Sequence, residues 1–348
     1  MSSRPIGYYV HHHGAGHLAR ARAIASASGG RVVLLGTGIG AQGIDLADDR
    51  LDTGAFDGAD ESDCRPGSLH YAPIDHEGIR SRVATIAQWI DMHRPALMVI
   101  DVSVEVAMLA RLASVPIVYV RLNGDRTDGP HLEAFKGATA LLAPFHRDIE
   151  AASTPSWVVE KTRYLPGVTP ARTMTVNGVD PIILVVVGRG GKAGDGEALA
   201  QAARHCPQWR WRVIGPCSTP HDPPANLEIL GWVEDADREI ARATLVVGAA
   251  GDGLVSSVMA VDRPFVCIPQ ERPYAEQRMT AQRLGEIGAA LVLDRWPEPE
   301  RWSGHIMDAL ALPSRARRKL HVPDGARLAA QWLGSMADAV DPAQEKAA

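Results

Sequence analysis

Apolar residues recur along the chain in short blocks, and between the blocks their period lengthens from two toward 3.6. In the first half the β-rich runs are Ile6–Val10, Arg31–Leu35, Leu97–Asp101, Ile117–Val120 and Ala140–Ala143. Helical spacing falls between them, near His17–Ser28, Gly78–His93 and Val104–Ala113, with Leu18, Ala21, Ile24 and Ala25 on one face of the first. Residues 45–63 are acidic and glycine-rich, carry no period, and read as irregular. A break follows at Tyr164-Leu165-Pro166-Gly167-Val168-Thr169-Pro170, which has the composition of a linker.

The pattern then restarts with the fully apolar run Ile182–Val187. Further strands are expected at Trp211–Ile214, Leu227–Leu230, Leu245–Val247, Phe265–Ile268 and Ala290–Leu293, and helices near Gly196–Ala203, Asp235–Ala241, Gly253–Val261 and Glu276–Leu284. Strand–helix alternation of this kind predicts α/β architecture with two doubly wound parallel sheets. The expected domains are 1–165 and 181–324, joined by a linker at 166–180. Residues 325–348 supply a last apolar-faced helix (Ala326–Met336), free to cross back to the first domain, and a polar tail. Open α/β sheets bind ligands beyond the carboxyl ends of their strands, so two such domains facing each other would hold a ligand in the cleft between them.

Glycine turns mark where chemistry would sit. Gly14-Ala15-Gly16-His17 follows the first strand and opens a helix, whose N-terminus offers unpaired N–H donors to an anion or hydroxyl. His17 at that mouth can move a proton near neutral pH. A second turn, Gly188-Arg189-Gly190-Gly191-Lys192, follows the Ile182–Val187 run. A third, Gly251-Asp252-Gly253-Leu254, follows Val246-Val247-Gly248 and is itself followed by Pro269-Gln270-Glu271 and Glu276-Gln277. Backbone N–H groups of such turns suit phosphate, and the Glu276 and Gln277 side chains suit sugar hydroxyls. Lys192 and Arg189 can neutralise phosphate or serve as ordinary surface charge.

Composition narrows the partners. A formal net charge of −5 argues against a general nucleic-acid binder. The basic run Arg315–Lys319 reads as a solvated helix face. No stretch reaches the length of a membrane span, and no charged leader with an apolar core precedes the first strand, so a cytoplasmic protein is expected. Cys64, Cys206, Cys217 and Cys267 lack any CxxC spacing and fit a reduced protein better than a zinc site. His11-His12-His13 are neighbours on an extended segment and point apart, so no metal is expected there. Asp48-Asp49 and Glu61–Asp63 read as solvated charge.

The segment from Val246 to Gln277, continuing to Gly288-Ala289-Ala290, resembles the C-terminal signature of GT-B glycosyltransferases of the MurG type, relatives of glycosyltransferase family 28. Gly14–His17 resembles the same group's N-terminal loop. Arg121-Leu122-Asn123-Gly124 and Gly231-Trp232-Val233-Glu234-Asp235 fit in order, so the resemblance spans most of residues 6–294. It implies two Rossmann-like domains across a cleft. It also implies transfer of a sugar from a nucleotide-diphosphate donor, UDP foremost, to an acceptor hydroxyl, with inversion and no metal or other cofactor.

On this resemblance Gly188, Arg189, Gly190, Gly191, Gly251, Asp252, Gly253 and Leu254 hold the donor diphosphate, Val233 meets the base through its backbone, and Glu276 and Gln277 contact the donor sugar. Gly14, Gly16 and Asn123 face the acceptor, with His17 as general base. Asp101 and Glu105 stand near that site. A carboxylate there can orient His17, although a helix N-cap is the commoner use of an Asp at the position of Asp101. In the family a Glu on the helix after the third turn binds the ribose hydroxyls; Ser257 stands there instead, and Asp252 is a candidate replacement. The implied partners are a nucleotide sugar and an acceptor that is lipid-linked, polymeric or a small natural product, with peripheral contact at the inner membrane face admitted. A GT-B-like nucleotide-sugar hydrolase or epimerase, and a non-catalytic ligand-binding descendant, are the alternative readings.

Overall fold

The computed structural model of the chain describes residues 3–12, 15–50, 65–168, 181–188 and 191–340. Gly14, Arg189, Gly190 and Cys64, all singled out above, lie outside the described residues. The chain divides into two compact units. One comprises the described residues of Met1–Pro144, Ala152–Thr169 and Asp324–Ala348; the other comprises those of Phe145–Ala151 and Pro170–Pro323.

The first unit holds seven parallel strands: β1 (Ile6–Val10), β2 (Val32–Gly36), β3 (Gly43–Asp45), β4 (Leu97–Asp101), β5 (Ile117–Val120), β6 (Ala140–Ala143) and β7 (Thr162–Tyr164). Their order is β3-β2-β1-β4-β5-β6-β7. β1 is central, with Ile6 opposite both Val32 and Leu97. The chain therefore winds outward from β1 to β3 and then returns to β4, so the point where the winding reverses lies between β1 and β4.

Both faces of this sheet are covered. Ile6, Tyr8 and Val10 of β1 pack on one face against Ala21 and Ile24 of the helix Ala15–Ala27, and against Ala329, Leu333 and Ala337 of the helix Gly325–Val340. Tyr9, Met98 and Ile100 point to the other face, under Ile86 and Trp89 of the helix Glu77–His93 and Ala107 of the helix Val104–Leu112. This alternation along each strand is the period of two that the sequence displays.

The second unit has six parallel strands: β8 (Ile182–Val186), β9 (Arg210–Ile214), β10 (Leu227–Gly231), β11 (Leu245–Gly248), β12 (Phe265–Cys267) and β13 (Leu291–Val292). Their order is β10-β9-β8-β11-β12-β13, with the same reversal between β8 and β11. Phe145–Ala151 joins this unit although the sequence reading kept it in the first domain. Lys319 Nζ pairs with Asp148 there at 2.5 Å, Arg283 donates to the Asp148 carbonyl at 3.2 Å, and Ile149 is buried.

That pairing also corrects the reading of Arg315–Lys319 as a solvated face. Arg317 is buried, and its Nε donates to Asp262 Oδ1 at 2.9 Å, with Arg318 on the other carboxylate oxygen at 2.8 Å. Cys206, Cys217 and Cys267 are free thiols.

Candidate functional site

Each unit carries a constellation at its reversal point. In the first, β1 runs into the helix Ala15–Ala27, which opens two residues earlier than expected, and His17 and Arg20 stand one turn apart on it. β4 lies beside β1 and ends in Asp101. Neighbouring strands thus bring together residues 84 positions apart in sequence. Asp101 is fully buried, and its Oδ2 lies 3.0 Å from His17 Nδ1. Arg20 Nη2 donates to Asp101 Oδ1 at 3.0 Å and to Oδ2 at 3.2 Å.

Burial alone would raise the Asp101 carboxyl, but Arg20 and then His17 beside it outweigh that and hold it at about 2. Arg20 Nη2 also lies 3.1 Å from His17 Nδ1, but it donates to both Asp101 oxygens; an ionised carboxylate only accepts, so the contact between Asp101 and His17 is made by a proton on His17 Nδ1. That leaves the Nε2 lone pair available for a proton, as in other base–orienter pairs. His17 is 13% exposed, enough to meet a hydroxyl. His11 packs edge-on against it, ring centroids 5.4 Å apart. The capping role considered for Asp101 is corrected: Ser103 caps the helix Val104–Leu112 by accepting from Val106 N.

Glu105 serves elsewhere than at His17. Its Oε1 accepts from the backbone N–H groups of His70 and Tyr71 at 2.8 and 3.0 Å, and its Oε2 accepts from Ser103 Oγ at 3.0 Å. Asn123, in the loop after β5, is buried, and its carbonyl accepts from Arg126 Nε. Gly16 lies inside the first turn of its helix with open space where a Cβ would stand. Asp49 is not solvated charge: Arg82 and His12 both pair with it, and Arg82 donates to Tyr9 Oη as well.

A further cluster that sequence reasoning missed joins His70, Asp128 and His131. Asp128 accepts from both rings, at 2.7 and 2.6 Å, while Arg126 Nη1 lies 3.1 Å from His131 Nε2. Arginine can only donate, so His131 carries its proton on Nδ1 and cannot offer that atom to a metal. Burial, with Arg126 adding to it against the pull of Asp128, lowers His131 to about 4. The cluster is a hydrogen-bonded clamp at the start of the helix Gly129–Gly137, which Asp128 caps.

In the second unit the ends of β8 and β9, the loop after β10 and the helices Ala236–Arg242 and Asp252–Ala260 wall a cavity of about 240 Å³. Val186, Val187, Ile214, Ile240 and Leu254 supply its apolar surface, with Trp232 at 58% exposure and Val233 beside them. Gly188, Gly215 and Gly253 also line it. Gly215 is required as glycine: its φ is +94°, and a Cβ there would stand 1.9 Å from the Val187 carbonyl oxygen.

The helix Asp252–Ala260 begins at this cavity with Gly251 as N-cap, which makes no side-chain capping bond, and a helix N-terminus of this kind suits an anion. Asp252 is the first residue of that helix. The carboxylate that lines the cavity is Asp237, whose Oδ1 accepts from Ser257 Oγ at 2.7 Å. Asp252, the expected stand-in for the family glutamate, does not line it, and Asp237 went unnoticed in the sequence because it arrives from the helix Ala236–Arg242.

Beside Gly251 lies Gln277, buried on the first turn of the helix Glu276–Glu286. Its Oε1 accepts from Gln270 N at 2.9 Å, which turns its amide N–H groups toward Gly251. Gln270 Oε1 in turn sits against Gly191, where a Cβ would collide with it, and receives Arg272 Nη2 at 3.3 Å. Tyr274 and Ala275, immediately before that helix, hold φ of +59° and +50°. Two consecutive non-glycine residues in that region are backbone strain of the sort concentrated at functional loops.

Two parallel-sheet Rossmann-type units, each with its constellation where the winding reverses, define the GT-B class of fold. The chain has the GT-B fold and is similar in sequence to MurG-type transferases. No protein-family model matches it. The chain is 26% identical over 257 residues, covering 65% of itself and 70% of the relative, to a UDP-N-acetylglucosamine--N-acetylmuramyl-(pentapeptide) pyrophosphoryl-undecaprenol N-acetylglucosamine transferase of Chlorobium luteolum. It is also 26% identical over 133 residues to the protein of the same name from Bifidobacterium adolescentis; that match spans 36% of the chain and about a third (34%) of the relative. The fold is similar to that of the calicheamicin glycosyltransferase CalG4, with a TM-score of 0.69 at 16% identity over 98% of this chain and 100% of the other.

Proposed function

We propose that the protein is a glycosyltransferase that moves a sugar from a nucleotide-diphosphate donor, UDP-linked by preference, to an acceptor hydroxyl. The observation that carries this reading is the second unit's cavity. Its volume suits the nucleoside part of a donor rather than a whole nucleotide sugar, given that complete ligand pockets run to about 300–1,000 Å³. Trp232 and Val233 face the base, and the helix N-terminus at Gly251–Gly253 with Gly188 and Gly191 takes the diphosphate. Gln277 and Glu276 take the sugar. Backbone N–H groups, with Arg272 and Lys192, meet the leaving diphosphate's charge, so the proposed chemistry needs no metal ion.

The first unit supplies the base. His17 Nε2 removes the acceptor proton as the hydroxyl attacks the anomeric carbon, and Asp101 stabilises the imidazolium that forms. Direct attack opposite the leaving diphosphate inverts the anomeric centre. The names of the sequence relatives point to UDP-N-acetylglucosamine as donor and to a lipid-linked acceptor. Exposed Ile74, Met92 and Leu112 on the first unit suit peripheral contact with such a substrate's membrane from the cytoplasmic side. Among the described residues no helix is long and apolar enough to cross one.

The reading is tested by calorimetric titration of the protein with UDP, GDP and TDP and by nucleotide release from the matching sugar donors. Saturable UDP binding and release that depends on an added acceptor are expected. Release at full rate without acceptor would identify a hydrolase, and binding of none of the nucleotides would remove the donor site altogether.

A further inference from the structure

We infer that His11 is the positioning residue of the base: its ring is the wall that fixes the plane of His17, and His12, Asp49 and Arg82 hold that wall in place. The inference rests on the reading of His17 as the base and names what keeps its Nε2 aimed at an acceptor. A hydrogen bond and a ring contact constrain different things. The contact of His17 Nδ1 with Asp101 Oδ2 at 3.0 Å fixes one atom of the imidazole. The ring can still pivot about that atom, and the pivot swings Nε2 on its far side. His11 meets His17 edge-on, with ring centroids 5.4 Å apart and planes at 79°. Such a T-shaped contact prefers an angle as well as a distance, so it restrains the plane that Asp101 alone leaves loose.

Gly16, next to His17, has open space where a Cβ would stand, so it offers the ring no wall. His11 directly follows Val10, the last residue of β1. The divergence expected of neighbouring histidines belongs to a strand and ends with Val10; the rings of His11 and His12 pack together instead, centroids 5.0 Å apart at 36°. The His12 side chain is only 8% exposed, and its Nδ1 stands 3.4 Å from Asp49 Oδ1. Arg82 pairs with the same carboxylate and donates to Tyr9 Oη at 3.1 Å, while Tyr71 Oη donates to the Asp49 carbonyl at 2.5 Å. This brace starts on the helix Glu77–His93, which covers one face of the sheet. It passes through two imidazoles at the end of β1 and ends at the base, on the helix that covers the other face. A catalytic group has to be held within about 0.5 Å and 10–20° of its productive geometry. Freeing the ring therefore lowers turnover and leaves donor binding, which belongs to the other unit, untouched.

The test is UDP release from UDP-N-acetylglucosamine with hydroxyl and lipid-linked saccharide acceptors, measured on the full-length wild type, His11→Ala, His17→Ala and the double variant. His11→Ala should lower kcat by about 10–100-fold, with donor KM and UDP affinity within about twofold of wild type. In the His17→Ala background the same change should cost less than about twofold, because the ring through which it acts is gone. His11→Phe keeps a ring edge against His17 and should restore most of the turnover. In the nitrogen–proton NMR spectrum, the Nδ1 proton signal that His17→Ala removes should exchange with water faster in His11→Ala, at unchanged circular dichroism.

Near wild-type kcat in His11→Ala, a loss that multiplies that of His17→Ala, or an unaltered exchange rate overturns the inference while leaving the base standing. So does a folded His11→Phe as slow as His11→Ala. Undiminished transfer by His17→Ala, or no transfer by the wild type, overturns the base reading and the inference with it. Should His11→Phe fold poorly, the comparison of single and double alanine variants decides alone.

Discussion

His17 Nδ1 lies 3.0 Å from Asp101 Oδ2, and Arg20 bonds both oxygens of the same buried carboxylate. The three side chains come from the helix after β1 and from the end of β4, strands that neighbour each other only because the winding reverses between them. The proton on His17 is thereby assigned to Nδ1, and the free lone pair to Nε2.

Replacing Asp101 by Asn reverses that assignment. The amide can donate to His17 Nδ1, which moves the ring proton to Nε2 and disables the base. Turnover should fall by about 10²–10⁴-fold while nucleotide affinity holds, because the donor cavity belongs to the other unit. The change also leaves Arg20 buried without its counter-charge, so the first unit should lose about 3–5 kcal/mol in denaturant unfolding. Single-turnover kinetics beside UDP titration separates the two effects.

Acid should unfold the first unit in two stages. His131 has its folded value lowered to about 4 by burial, below an unfolded value near 6.5, so the unfolded chain takes up a proton first and stability falls from about pH 6.5 to 4. Asp101, held near 2, contributes stability that is complete above its unfolded value near 4 and is lost as pH falls through about 2. Melting temperature measured against pH should show both stages, and His131→Gln should flatten the upper one. A single transition below pH 4 in the wild type would contradict the buried neutral state of His131.

Gly215→Ala should damage the second unit. A methyl group there meets the Val187 carbonyl at 1.9 Å in a backbone region that costs an L-residue about 1–2 kcal/mol before any clash. Because Gly215 lines the cavity, UDP affinity should drop together with melting temperature. Wild-type values for both would show that the β8 and β9 ends can part without harm.

Leu333→Ala tests the packing of the last helix. Leu333 is fully buried in the core that joins the helix Gly325–Val340 to β1 and to the helix carrying His17. Truncation should cost about 2–5 kcal/mol. Nucleotide titration of the folded variant should match the wild type, since the donor cavity draws no residue from that core.

Long apolar runs such as Ile6–Val10 and Ile182–Val186 were legible in the sequence as strands because burial on both faces leaves no competing period. β3 and β7, three residues each at the sheet edges, were not, since so short a run carries no period at all. Candidate site residues were legible where they lie next to a glycine turn, as with His17 and Gly251. They were hidden where strand order brings them together. Asp101 reads as a cap until Ser103 is seen to hold that role, and Asp237 draws no notice until its helix is placed beside Ser257. Separations of 84 and 20 residues set by topology leave no local spacing to detect.

The central claim, that His17 is the base of a sugar transfer, is tested most directly by the rate of UDP release from UDP-N-acetylglucosamine with and without hydroxyl and lipid-linked saccharide acceptors, in the wild type and in His17→Ala. Acceptor-dependent release is predicted for the wild type, falling by about 10²–10⁴-fold in the variant while UDP binding is unchanged. Near wild-type transfer by His17→Ala would contradict it.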